Sequence, residues 1–218
     1  MNNKISDLPA KKIARIAGVF YLVFILSAIF ANMISNLGFG DVTKIIQTLT
    51  INPALFRVGF VISLLSAFFF FMAAWSLYVL LKLINKNLAL LFLLLNLIGV
   101  TIQCFGMLQL YAAILSVGNI NPTAFIFVDL FKNSVVMAQL FFGTWLFPLG
   151  YLIYRSNFIP KILGALLIID GFGILIWFFQ AYLFPGYPQI SYPGLVVSFL
   201  AEFGLTLWLL VKGVRTNI

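Results

Sequence analysis

Residues 160 to 184 read Pro160-Lys-Ile-Leu-Gly-Ala-Leu-Leu-Ile-Ile-Asp170-Gly-Phe-Gly-Ile-Leu-Ile-Trp-Phe-Phe-Gln180-Ala-Tyr-Leu-Phe184, and Lys161 at the edge and Asp170 in the middle are their only charges. A helix crossing a bilayer needs about 20 apolar residues, and this run supplies them. Asp170 then sits where an ionised group costs roughly 2.5 to 3.5 kcal/mol on insertion scales, so it is expected to face protein and not lipid. A second acid interrupts a similar run, Leu195-Val-Val-Ser-Phe-Leu-Ala-Glu202-Phe-Gly-Leu-Thr-Leu207. These two carboxyls are the first candidates for function.

The rest of the chain has the same character. Of its 218 residues 63% are hydrophobic and 8% charged, with a mean hydropathy of +1.14, whereas a soluble globule carries about 25% charge. The reading is all-α: one polytopic transmembrane domain over residues 1–218, with six crossings near 13–36, 53–82, 87–117, 124–154, 160–184 and 192–211. Lys11, Lys12 and Arg15 before the first run resemble a signal-peptide flank. The run continues to about Met33 without a small-x-small cleavage site, so it is read as a retained helix.

Basic residues orient the bundle. Lys4, Lys11, Lys12 and Arg15 precede the first crossing, Lys82 and Lys86 lie between the second and third, Arg155 and Lys161 between the fourth and fifth, and Lys212 and Arg215 follow the sixth. An even number of crossings puts all four clusters on one side, which the positive-inside bias makes cytoplasmic, with both termini, in a multi-pass protein of the cell membrane. The net charge of +8 is thereby a topology signal. Nucleic-acid binding is not expected, because no soluble domain carries a basic surface. Cys104 is the single cysteine, so no intrachain disulfide can form.

Asn52-Pro53 reads as N-cap and first residue of the second crossing, and Pro160 suits the first turn of the fifth. Pro148 is expected to kink the fourth. Pro185-Gly186-Tyr187-Pro188 makes a tight outer hairpin. In the first outer loop Asp41 can cap a short amphipathic helix bearing Val42, Ile45, Ile46 and Leu49, which is expected to lie on the outer membrane face. The three hairpins look alike, with odd helices beginning after Lys12, Lys86 and Lys161. Positive-inside bias and aromatic belts acting on each helix separately give the same pattern as duplication.

Helix contacts in membranes favour small and polar side chains, since lipid gives apolar ones no reason to associate. Such stripes are Ala14, Gly18, Tyr21, Ala28 and Asn32; Asn96, Gly99, Gln103 and Gly106; Lys132, Gln139, Gly143 and Gly150; and Ser198, Glu202 and Thr206. Measured from the cytoplasmic ends at about 1.5 Å per residue, Asp170, Glu202, Asn96 and Tyr21 fall at one level, near the middle of a core about 30 Å thick. Two readings fit that layer. The carboxyls are packing contacts hydrogen-bonded to Ser198, Thr206, Asn96 or Tyr21, or they bind a proton, a small cation or another small polar ligand. Arg57, Asp129 and Lys132 fall at the outer interface, as anchors or as an electropositive mouth.

Several phrases together resemble a known family: Lys12-Ile-Ala-Arg-Ile-Ala-Gly-Val-Phe-Tyr-Leu22, Leu55-Phe-Arg-Val-Gly-Phe60, Phe141-Phe-Gly-Thr-Trp-Leu-Phe-Pro-Leu-Gly-Tyr-Leu-Ile-Tyr-Arg-Ser156 and Ala201-Glu-Phe-Gly-Leu-Thr-Leu-Trp-Leu-Leu-Val-Lys-Gly213. The chain resembles the bacterial membrane family catalogued as domain of unknown function 4386, over nearly its whole length. The resemblance implies a prokaryotic integral membrane protein and brings no activity or catalytic residue with it.

Three function classes remain. With no histidine, His-ligated zinc and Ser-His or Cys-His catalysis are excluded. An intramembrane hydrolase through Asp170 and Glu202 is the surviving enzymatic reading and the weakest, with no recognised motif around either. No catalytic residue, metal or cofactor is expected. A small transporter or binding bundle would use the midplane carboxylates. A scaffold, accessory or sensing protein would need only packing. Beyond the lipid bilayer, the partners left open are a small polar ligand, proton or cation, and a second copy, since six helices make a small bundle. A cavity reaching Asp170 or Glu202 favours transport or binding, and a dry packed core favours the scaffold.

Overall fold

A computed structural model describes residues 7–38, 41–116 and 122–214. Its helices are α1 (Asp7–Ser35), α2 (Val42–Ile51), α3 (Pro53–Leu81), α4 (Lys86–Ser116), α5 (Pro122–Ser156), α6 (Lys161–Leu183) and α7 (Tyr192–Val211), with a single 3-10 turn at Pro188–Ser191 ahead of α7. All but α2 are long and apolar enough to cross a membrane. The chain is a multi-pass, all-α membrane protein with a short amphipathic helix between its first two crossings. Lys4, Val117, Gly118 and Arg215 lie outside the described residues.

The caps follow the punctuation of the sequence. Asp41 accepts the Lys44 backbone N–H at 2.7 Å and starts α2. Asn52 ends α2 by donating its own N–H to Thr48 at 3.1 Å, and starts α3 by accepting from Leu55 at 3.1 Å. One residue therefore serves two helices, which forces a sharp turn between them. Asn85 accepts from both Asn87 and Leu88 ahead of α4. Asn36 and Asn157 close α1 and α5 in the left-handed region, each at φ 57°, where asparagine is tolerated better than most residues. Pro160 is the N-cap of α6 and not part of its first turn, with ψ 130°. α5 runs unbroken through Pro148.

The six long helices form a closed ring. Each packs on its neighbour in the chain, in the order α1, α3, α4, α5, α6, α7, and α7 returns to pack on α1. Glycines set the tightest of these crossings. A Cβ on Gly164 would stand 2.6 Å from the Gly150 carbonyl oxygen, and one on Gly171 2.9 Å from that of Gly143, so α5 and α6 touch backbone to backbone at two levels. Gly173 meets Gly194 in the same way between α6 and α7, and Gly18 meets Leu209 and Leu210 between α1 and α7.

Two cores result. The larger joins Tyr21, Phe70, Phe92, Phe142 and Trp145 with small and aliphatic residues of α1, α3, α4, α5, α6 and α7. The smaller holds Ile45 and Leu49 of α2 against Phe56, Leu110, Val128 and Phe131, with Val42 and Ile46 packed at its edge. α2 thus spends its apolar side on the end of the bundle. The expectation that this helix lies on the membrane face is replaced by a cap over α3, α4 and α5, because Ile45 and Leu49 are buried against Phe56, Leu110, Val128 and Phe131.

Candidate functional site

Asp170 lies on α6 just ahead of the two glycines that bring its neighbours close, Gly171 toward α5 and Gly173 toward α7. The side chain is fully buried. Its Oδ1 accepts a hydrogen bond from the Ser198 hydroxyl of α7, and its Oδ2 has no partner. Glu202, one turn along α7 from Ser198, is half-buried and close enough to Asp170 to interact with it electrostatically. The two carboxyls thus lie within electrostatic reach of each other across the α6–α7 seam.

Tyr21 joins them from α1. It is fully buried and lies within electrostatic reach of both Glu202 and Asp170, and its hydroxyl stands beside the Glu202 carboxyl without the alignment of a full hydrogen bond. Its ring is held edge-on against Phe24 and Phe70, with centroids at 5.7 and 5.9 Å, and Phe24 stacks on Phe70 at 4.3 Å. The Ser66 hydroxyl of α3 donates to the Phe24 carbonyl oxygen at 3.1 Å, fixing α1 to α3 behind this aromatic wall.

A cavity of about 350 Å3 opens in front of the wall. All six long helices reach it. Phe24, Phe70, Phe142, Trp145 and Trp177 give it aromatic sides, while Gln103, Gln139, Ser198 and Glu202 supply polar groups. Trp145 is completely buried and its indole N–H is without a partner. The Gln139 amide donates to the Val135 carbonyl of its own helix at 3.0 Å. Glu202 is the one charged residue in this lining. A second cavity of about 400 Å3 runs between α1 and α7, bounded by Ile29, Asn32, Met33 and Phe199, and shares Phe24, Ala28, Ser198 and Glu202 with the first.

The other expected residues sit elsewhere. Asn96 of α4 is fully buried with neither amide atom hydrogen-bonded, and it is not part of either cavity's lining. Thr206 donates to the backbone carbonyl of Glu202 at 2.7 Å, one turn back on its own helix. Arg57 and Asp129 are exposed and Lys132 half-buried; Lys132 lies within electrostatic reach of Asp41 and Asp129. None of the three lines either cavity. Among the described residues, no group of three or more Cys, Asp or Glu is arranged to hold a metal ion.

Gln103, Gln139, Trp145 and Trp177 are among the lining residues not singled out from sequence as site residues. The glutamines lay on the small-and-polar stripes of their helices, which was a usable signal. The tryptophans had none, because aromatic residues are common in every crossing.

An uncharacterized protein of Archaeoglobus fulgidus is 27% identical over 180 residues, covering 79% of this chain and 93% of its own length. No solved structure matches. The model of the family described as Domain of unknown function (DUF4386) matches residues 16–213, which run from within α1 to just past α7 and include both carboxyls, and the chain belongs to that family.

Proposed function

We propose that the protein is a small transporter, or binding bundle, of the cell membrane that takes up a proton or small polar ligand at Glu202 and Asp170. The observation that carries this reading is the cavity ending on Glu202, with Asp170 behind it through Ser198. A scaffold has no need of open space at a midplane carboxylate, where closing the gap with apolar side chains would cost less. The cavity walls belong to helices that meet through glycines, and such contacts let helices shift against each other without large side chains to repack.

The test is proton movement in sealed vesicles containing the purified protein, read with an internal pH-sensitive dye after an imposed gradient. The expected result is faster dissipation than in protein-free vesicles, with Glu202→Gln and Asp170→Asn each slowing it by about tenfold or more, as loss of a group that carries the proton requires. Dissipation at the protein-free rate, with Glu202→Gln changing only thermal stability, would return the carboxyls to a packing role.

A further inference from the structure

We infer that the cavity reached by all six long helices binds an organic cation with an apolar body, such as an alkyl- or arylammonium, and that this ligand enters sideways from the bilayer between α1 and α7. The inference rests on the reading of Glu202 as a binding group and adds the class of ligand and its route.

Charge selects the sign. Glu202 lines the cavity, Asp170 stands behind it, and no lysine or arginine is in the lining. An anion would meet carboxyls without a compensating cation. Size and lining select against an inorganic ion: a bare metal ion needs several oxygen ligands at little more than 2 Å, whereas this space is about 350 Å3 and its wall is mostly apolar. That volume lies within the range of small-molecule sites. A wholly apolar ligand would gain from the rings but leave Glu202 stripped of water and unpaired. A cation set among aromatic faces with one carboxylate satisfies both, since the ring quadrupoles and the carboxylate attract the same sign.

The route follows from the second cavity. At Gly18, α7 lies directly on α1, and a Cβ there would be 2.9 Å from Leu210. Farther along α1, toward Asn32 and Met33, the two helices part around about 400 Å3 of space. Ile29, Met33 and Phe199 on its rim are exposed, and on a membrane-spanning helix such residues face lipid. Glu202 and Ser198 border both spaces. A ligand already partitioned into the bilayer by its apolar body therefore meets its counter-charge at the inner end of this gap.

The experiment is calorimetric titration of the protein in lipid nanodiscs with benzyltrimethylammonium and with neopentylbenzene, its uncharged carbon analogue of the same shape, with empty nanodiscs as the blank. The cation is expected to bind at least about tenfold more tightly than the neutral analogue, a factor corresponding to about 1.4 kcal/mol. Glu202→Gln should remove about tenfold of the cation's affinity, Glu202→Asp should keep most of it, and Trp177→Leu should lower it several-fold through loss of a cation–π face. Ala28→Phe, which narrows the gap on α1, should slow association of the cation. Equal affinity for the two compounds, or cation binding indifferent to Glu202→Gln in folded protein, overturns the inference. So does proton movement in vesicles without any cation binding, and that outcome leaves the proposed function standing. Cation binding without proton movement supports the inference and removes transport of protons.

Discussion

At the scale of single residues, the bond from Ser198 to Asp170 is the joint on which the site hangs. Asp170 has no other hydrogen-bond partner, and its second oxygen is buried without one. Ser198→Ala is therefore expected to destabilise the folded protein by about 1–3 kcal/mol, the cost of leaving a buried polar group unsatisfied. Adding Asp170→Leu to Ser198→Ala should recover much of that loss, because removing both partners leaves nothing to satisfy. Thermal unfolding in detergent of the two single variants and the double variant checks this, and simply additive losses would show that the two side chains do not depend on each other. The sequence offered both residues, and depth placed the carboxyls together. It could not pair Ser198 with Asp170 and not with Glu202 on its own helix, since that choice depends on the rotation of α7 against α6. Asn96 shows the same limit from the other side: its depth is that of the carboxyls, but α4 reaches the cavity through Gln103.

At the scale of elements, the crossings were legible because each is a long apolar run ended by a basic residue, Asn or Pro, and these signals act within one helix. Contacts between helices were legible only as tendencies. The stripe containing Gly143 and Gly150 identified a close-packing face on α5, but its partners Gly164 and Gly171 become evident only when α5 and α6 lie antiparallel. The geometry makes a sharp contrast available. A side chain on Gly164 would have to displace the backbone of Gly150 and Tyr154, so Gly164→Val is expected to cost about 1–3 kcal/mol through overpacking, or more where the backbones cannot separate. Gly186, in the turn before α7, has nothing within 4 Å of an added Cβ, and Gly186→Ala should change stability by less than about 0.5 kcal/mol, as for other surface sites. Comparable melting temperatures for the two variants would mean that the α5–α6 crossing is looser than described. α2 belongs to this scale too. Its apolar pattern is plain, yet a pattern of that kind serves lipid and protein equally well, and only the side chains that α3, α4 and α5 present to Ile45 and Leu49 decide between them.

At the scale of the whole molecule, the closed ring explains why a chain this small can hold open space. Each long helix packs mainly on its two neighbours in the ring, so the centre is filled by side chains, and the large rings Phe70, Phe142 and Trp145 there border open space. The same ring gives the molecule two unlike ends. Lys11, Lys12 and Arg15, Lys82 and Lys86, Arg155 and Lys161, and Lys212 gather at one, and Gly213 there lies against Lys11. The other end carries Asp41, Lys44 and the turn at Pro185 and Gly186. Retention of short lysine- and arginine-rich loops on the cytoplasmic side sets orientation in membranes, so the basic end should face the cytoplasm. Cys104 is the single thiol, and a Cys104→Ala background allows one cysteine at a time to be placed at Thr43, Gly186, Lys86 or Asn157. In intact cells a membrane-impermeant maleimide is expected to label positions 43 and 186, and to reach 86 and 157 only after the membrane is opened. Labelling of positions 86 and 157 in intact cells would invert the molecule, and with it the side from which the gap between α1 and α7 is reached, because that gap lies in the half of the bundle away from the basic end.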